Sequence, residues 1–266
     1  MPDHQKIQNV VIIGAGNVAT HLALALHHKG INVTQVLNRS RSPGEKLARR
    51  VKAGFNADFS EANFRADLFI LAVSDCAIEE VAGNLRLRDQ FLVHTSGSVD
   101  MSALSGTSSN IGVFYPLQTF SKNKRINFTG IPVCIEANTK DNEEKLLQLA
   151  RLVSKRVQLI NSTQRKVLHM TAVFAGNFSS FMYTIAEDLL KKHGIPFSLL
   201  KPLIQQTAAT AKHEDVFSRQ TGPAVRGDTK IMHEHLEMLA KHGVYMEIYD
   251  LISKSIIKHK HRNDEL

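Results

Sequence analysis

The sequence predicts an α/β domain built on a doubly wound, mainly parallel sheet, followed by an all-α domain that opens with a long interdomain helix. Three observations predict it. Strand-like and helix-like patterns alternate up to about residue 160, the first strand-like run ends in a glycine-rich turn that opens a helix, and only helical periodicity remains after Asn161. With 266 residues, 43% hydrophobic and 22% charged, the chain suits two globular domains, expected at 1–160 and 161–266.

Asn9–Ile13 is an apolar run ending in Gly14, the pattern of a buried parallel strand. Asn17–Lys29 carries apolar residues at helical spacing and Gly30 closes it. Asn32–Leu37 is the second strand, and Pro43–Lys52 a helix with proline in its first turn. Further strands are expected at Phe55–Phe59, Asp67–Val73, Phe91–Thr95, Ile111–Tyr115, Ile131–Ile135 and Val157–Ile160, with an amphipathic helix at Asn142–Ser154. Beyond them one helix is predicted from Ser162 to His193, about 48 Å long, ended by Gly194 and Pro196. Shorter helices follow at Phe197–Lys212, Thr229–His242 and Tyr245–Lys258.

Composition narrows the function classes. No apolar run reaches the roughly 18–20 residues of a membrane helix, and Met1–Lys6 leads straight into a strand without a signal-peptide pattern, so a cytoplasmic location is expected. The net charge is +8, but Lys and Arg are dispersed rather than set in a stripe with aromatics, which favours an anionic small molecule over nucleic acid. Cys76 and Cys134 make neither a metal spacing nor a disulfide framework and read as buried free thiols, with Cys76 at a helix N-terminus. His233 and His235 point to different helix faces, so no metal is expected.

The turn Gly14-Ala15-Gly16-Asn17-Val18-Ala19 follows a strand and opens a helix. Gly14 permits the tight turn, Gly16 lets the backbone approach a pyrophosphate, Ala19 lets helix and strand pack closely, and the helix N-terminus at Asn17 and Val18 offers N–H groups. This is the Rossmann dinucleotide fingerprint. Versions that bind NAD place a carboxylate at the end of the second strand. Here Asn38-Arg39-Ser40-Arg41 stands there, which suits the 2′-phosphate of NADP. Val73, Ser74 and Asp75 end a central strand and are expected against the cofactor, although Ser74 and Asp75 also suit helix capping.

Four residues are candidates for the chemistry. His94 ends a strand before Thr95-Ser96-Gly97-Ser98, where a proton donor, or a structural histidine, fits, with Ser96 beside the cofactor. His169 and Asn177 on the long helix are about 80° apart at 100° per residue and can face one cleft, or form a polar pair satisfied at a dimer or domain interface. Arg226, in Thr221-Gly222-Pro223-Ala224-Val225-Arg226-Gly227-Asp228, can bind a substrate anion, with Asp228 orienting it or capping a helix. Tyr115–Phe120 reads as a cleft wall with Gln118 and Thr119 as polar contacts, or as loop structure.

Taken together, Gly14–Ala19, His94–Ser98, Tyr115–Phe120 and Thr221–Asp228 resemble bacterial proteins that join a Rossmann-like domain to a C-terminal helical domain of unknown function. Those proteins are described as NADP oxidoreductases of the deazaflavin-dependent type. More distantly the chain is similar to pyrroline-5-carboxylate reductase and to the 3-hydroxyisobutyrate and 6-phosphogluconate dehydrogenases, commonly dimers. The latter dehydrogenases carry Lys and Asn four residues apart on the long helix, a spacing that Lys166 and Asn177 lack.

The resemblance implies an NADP-dependent oxidoreductase. The residues suggest a small, anionic carbonyl or imine substrate, with His94 or His169 as proton donor and Asn177 and Arg226 positioning substrate. A homodimer through the helical half is expected, because Phe174, Phe178, Phe181, Met182 and Ile185 exceed one buried stripe. The alternatives are an NADP-binding sensing module without turnover, or hydride exchange with a deazaflavin or flavin in a wide second cleft without a carboxylate-binding Arg.

Overall fold

The computed structural model describes residues 6–121, 126–212 and 215–264. In chain order, β1 (Asn9–Ile13), α1 (Asn17–His28), β2 (Asn32–Leu37), α2 (Arg41–Val51) and β3 (Gly54–Asn56) form the first layer of alternation. β4 (Leu68–Leu71), α3 (Ile78–Gly83), β5 (Leu92–His94), β6 (Ile111–Pro116), β7 (Val133–Ala137), α4 (Lys140–Val153) and β8 (Val157–Leu159) follow. The strands make one sheet in the order β3-β2-β1-β4-β5-β6-β7-β8. Only β6 and β7 pair antiparallel. Strand order reverses between β1 and β4, so a crevice opens beyond their carboxyl ends.

Alternate residues of each strand feed two cores. Val10 and Ile12 of β1 pack with Leu22 and Leu26 of α1 and Leu146 of α4, while Val11 and Ile13 pack with Ile78 and Ala82 of α3 and Leu104. All of β4 is buried, as a strand covered on both faces should be.

α2 starts at Arg41 rather than at Pro43. First-turn N–H groups have no intrahelical partner, so proline is tolerated inside that turn as well as at its first position. Arg41 therefore lies on the helix, 3.7 Å from Glu45.

The helical part comprises α5 (Ser162–Ala172), a π-helical stretch Val173–Phe178, α6 (Ser179–Lys192), α7 (Lys201–Thr210), α8 (Pro223–Arg226), α9 (Thr229–Met238) and α10 (Gly243–Asp264). The expected single helix from Ser162 to His193 is thus helical throughout but widens in its middle. Asn161 opens it with a capping box to Gln164, and Gly194 at φ +66° closes it.

Two compact units result, residues 1–177 and 178–266. The division falls inside the π-helical stretch rather than at residue 160, because α5 is fastened to the sheet. Asn161 caps it, and Arg165 is sunk among Glu136, Val99 and Ser162. The second unit is nearly all surface: among its described residues only Ala224 and Ser253 are buried. Leu199, Leu203, Met238, Val244 and Leu251 are 61–73% exposed.

Candidate functional site

The turn after β1 fits its expected task. Gly14 has φ +110°, and a Cβ there would lie 2.3 Å from the Ala72 carbonyl oxygen, so only glycine lets β1 and β4 separate this tightly. Gly16 faces open space, exposed, and no side chain caps α1. The first N–H groups of α1, at Asn17 and Val18, are thereby left for an anion. Ala19 is fully buried beneath them.

Beside this turn lies a cleft of about 200 Å³ lined by Gly14, Asn38, Arg39, Ser40, Val73 and Ser74, among others. Asn38 donates from Nδ2 to the Ser40 carbonyl, which shapes the loop. Arg39 and Arg41 are exposed. Glu80 of α3 lines the same cleft and was not among the expected residues.

The loops after β4 and β5 are tied together. Asp75 accepts from the Ser98 hydroxyl, and Ser74 Oγ lies 3.5 Å from Cys76 Sγ. Ser74 makes no side-chain cap, so the capping alternative for it falls away. Ser96 Oγ accepts from the N–H groups of Ser98 and Val99 at 3.1 and 3.0 Å, so this hydroxyl holds its own loop.

His94 sits beneath that loop with no exposed surface. Its Nδ1 accepts from the Ser96 N–H at 3.1 Å, and its Nε2 is buried without a partner in hydrogen-bond geometry. Burial first, then the Arg165 guanidinium, pushes its pKa from 6.5 down to about 4. A neutral, enclosed ring is a poor proton donor to substrate, which favours the structural alternative for His94 over the donor role.

A consequence for stability follows. The unfolded chain binds this proton below pH 6.5 and the folded chain only near pH 4, so stability is full above pH 6.5 and falls between them. The loss should be on the order of 3 kcal/mol. Urea unfolding at pH 7 and pH 4.5 checks it: His94→Gln should flatten this slope relative to the native protein, and an equal slope in both would refute it.

The second cleft, about 480 Å³, lies where β6 ends. Tyr115, Leu117, Gln118, Thr119, Leu168, His169, Gly176 and Asn177 are among its walls. The π-helical turns take more residues per turn than an α-helix, which brings Asn177 to the cleft together with His169 despite their α-helical offset. His169 is half-buried, and its Nδ1 lies 3.2 Å from the Tyr115 hydroxyl. Burial pushes the Tyr115 pKa up to about 12, with Cys134 and Asp75 adding to the effect. A Cβ on Gly97 would come within 2.6 Å of His169 Nδ1, so the β5 loop reaches this pair only because residue 97 is glycine. Tyr115 was expected as wall and not as a partner of His169.

The remaining expectations concern the second unit and the thiols. Arg226 ends α8 and is exposed, while Asp228 accepts from the Ile231 N–H and caps α9 rather than orienting Arg226. Cys134 is buried, with its thiol pKa raised by burial, but Cys76 is exposed, contrary to expectation. Among the described residues no cluster suited to a metal is present, and no helix is long and apolar enough to cross a membrane.

Comparisons with known proteins agree with this geometry. Residues 9–97 match the family described as NADP oxidoreductase coenzyme F420-dependent, and residues 131–256 match a domain of unknown function, DUF2520. A solved Bacteroides fragilis structure, described as a candidate NADP oxidoreductase, is 38% identical, with 96% of this chain and 100% of that one covered at TM-score 0.88. A Thermotoga maritima protein shares the fold at 21% identity, TM-score 0.72, over 96% and 99% of the two chains. So does an imine reductase from Myxococcus stipitatus in complex with NADP+, at 16% identity and TM-score 0.70 over 96% and 94%. No curated protein matches in sequence.

Proposed function

The chain belongs to the family of NADP oxidoreductases in which a coenzyme F420-dependent type of domain precedes the helical domain of unknown function, and on that premise we propose that it transfers a hydride between NADP and a small carbonyl or imine compound. One observation carries the proposal. The fingerprint turn and the His169 cleft lie on the same edge of the sheet, beyond the carboxyl ends of β1 and β6. From β2 to β6 is four inter-strand steps, about 19 Å, a span for an extended dinucleotide.

The residues fit the cofactor. The N–H groups opening α1 would hold the pyrophosphate, and Asn38, Arg39, Ser40 and Arg41 would hold the 2′-phosphate. Val73, Ser74, Asp75 and Ser96 flank the path towards β6. When bound, NADPH supplies the hydride. His169 then supplies the proton to the carbonyl oxygen or imine nitrogen, and Asn177 orients the substrate. The described walls of the His169 cleft carry no Lys or Arg, and Arg226 belongs to the other unit.

Titration with NADPH and NADH tests the cofactor assignment. NADPH should bind at least about tenfold more tightly, as the loss of charge-assisted bonds to a phosphate implies, and Arg39→Ala should narrow the gap. Equal affinities would overturn it. NADPH oxidation over a panel of keto acids, ketones and cyclic imines then tests turnover. Binding without oxidation would leave a nucleotide-sensing module.

A second reading has one observation in its favour. The lack of a Lys or Arg among the described walls of the His169 cleft also suits a deazaflavin as hydride partner, and its reduction in place of every carbonyl and imine would select that reading.

We also propose a homodimer through the helical half. A unit in which two of the described residues are buried and apolar side chains are 61–73% exposed has no adequate interior alone. Light scattering at micromolar concentration should give twice the chain mass, and a monomer mass would end this proposal.

A further inference from the structure

We propose that Tyr115 is a positioning residue that fixes which nitrogen of His169 handles the proton, an inference that rests on His169 being the acid of the reading above. The two side chains come from β6 and α5, and meet with ring centroids 6.1 Å apart at 71°. The hydroxyl of Tyr115 stands 3.2 Å from Nδ1. Gly97 closes on the same nitrogen from the β5 loop, since a Cβ there would be 2.6 Å from Nδ1 and 2.7 Å from Tyr115 Cζ. Nδ1 is thus partnered by Tyr115, and glycine at 97 leaves the space that this pair needs. Nε2 is the nitrogen left for the cleft that His169 lines.

Tyr115 is 8% exposed, and its raised pKa keeps it a hydroxyl, which can accept from Nδ1–H or donate to a bare Nδ1. When the imidazole carries a proton on each nitrogen, Nδ1 is the donor and the Tyr115 oxygen accepts. The proton count then closes. The charged ring carries a proton on each nitrogen. Nε2 gives its proton to the substrate oxygen or nitrogen as the carbon receives the hydride, and Nδ1–H remains donated to the Tyr115 oxygen. Solvent returns a proton to Nε2. In the reverse direction the bare Nε2 takes the proton from the alcohol or amine. Tyr115 neither gains nor loses one, so no phenolate forms inside the protein.

Nitrogen NMR on protein labelled at histidine with ¹⁵N reads the tautomer directly. Neutral His169 should show a protonated Nδ1 and a bare Nε2, with a peak assigned by its loss in His169→Ala. Tyr115→Phe, which keeps the ring and its packing, should move the proton to Nε2, because the acceptor that fixed the tautomer is gone. Gly97→Ala should do the same by displacing the imidazole. In NADPH oxidation Tyr115→Phe should lower kcat about 10- to 100-fold, as loss of an orienting partner does, with the Kd for NADPH unchanged. A protonated Nε2 in the unsubstituted protein, or the same tautomer with and without the Tyr115 hydroxyl, would overturn the proposal. If no substrate in the panel is turned over, the acid role of His169 fails, while the NMR result still decides what Tyr115 does.

Discussion

His169→Ala should bind NADPH as the unsubstituted protein does and turn substrate over about 100-fold more slowly or worse, the usual weight of a general acid. The contrast with His94 gives the expectation its force. His94 ends a strand and His169 lies on the long helix, and a proton donor was expected at one or the other. His94 is enclosed, neutral down to about pH 4, and occupied at Nδ1 by the Ser96 N–H. His169 lines a cleft of about 480 Å³ and is far from the fingerprint turn, so its removal leaves the pyrophosphate and 2′-phosphate contacts untouched. Stopped-flow measurement of NADPH oxidation, with the Kd for NADPH measured separately, checks both halves. An unchanged kcat would remove His169 from the chemistry.

Legibility differed between the two kinds of feature for physical reasons. The sheet was readable because each strand carries its own signal: Leu68–Leu71 is apolar at every position because both faces are covered, and Gly14 must be glycine because the Ala72 carbonyl stands where a Cβ would be. These are local constraints, written where they act. The Tyr115–His169 contact joins residues 54 apart in sequence, and nothing near either one announces the other. The placing of Asn177 depended on a helix period of 3.6, which the π-helical stretch breaks. Gly176 is the weakest helix former there, and by itself it is too common a residue to signal a change of ladder. His94 looked reactive because strand ends in such sheets face ligands. Its burial depends on how the Thr95–Ser98 loop folds over it, held by Ser96 and by Asp75 from another loop.

The largest loss of stability is expected at Arg165, a residue that helix periodicity alone would leave in solvent. Its side chain is 1% exposed, paired with Glu136 of β7 and donating to the Val99 carbonyl and to Ser162 Oγ. Glu136 in turn accepts from both the N–H and the hydroxyl of Ser162, and Ser162 Oγ accepts from the Met101 N–H. The first turn of α5, the end of β7 and the loop after β5 are therefore joined in one network. Arg165→Met should cost about 3–5 kcal/mol, because it leaves the Glu136 carboxylate enclosed without its cation. That is a large share of the roughly 5–15 kcal/mol that holds a folded domain. Arg165→Met combined with Glu136→Gln should recover part of the loss, since the uncompensated charge is then gone. Urea midpoints for both single variants and the double variant measure the coupling, and additive losses would show that the pair does not act as a unit. The same helix carries His169 one turn beyond Arg165, so the network bears on the proposed chemistry as well. Loosening Arg165 should lower turnover even at temperatures where the variant remains folded, whereas a residue that served stability alone would leave the folded fraction fully active.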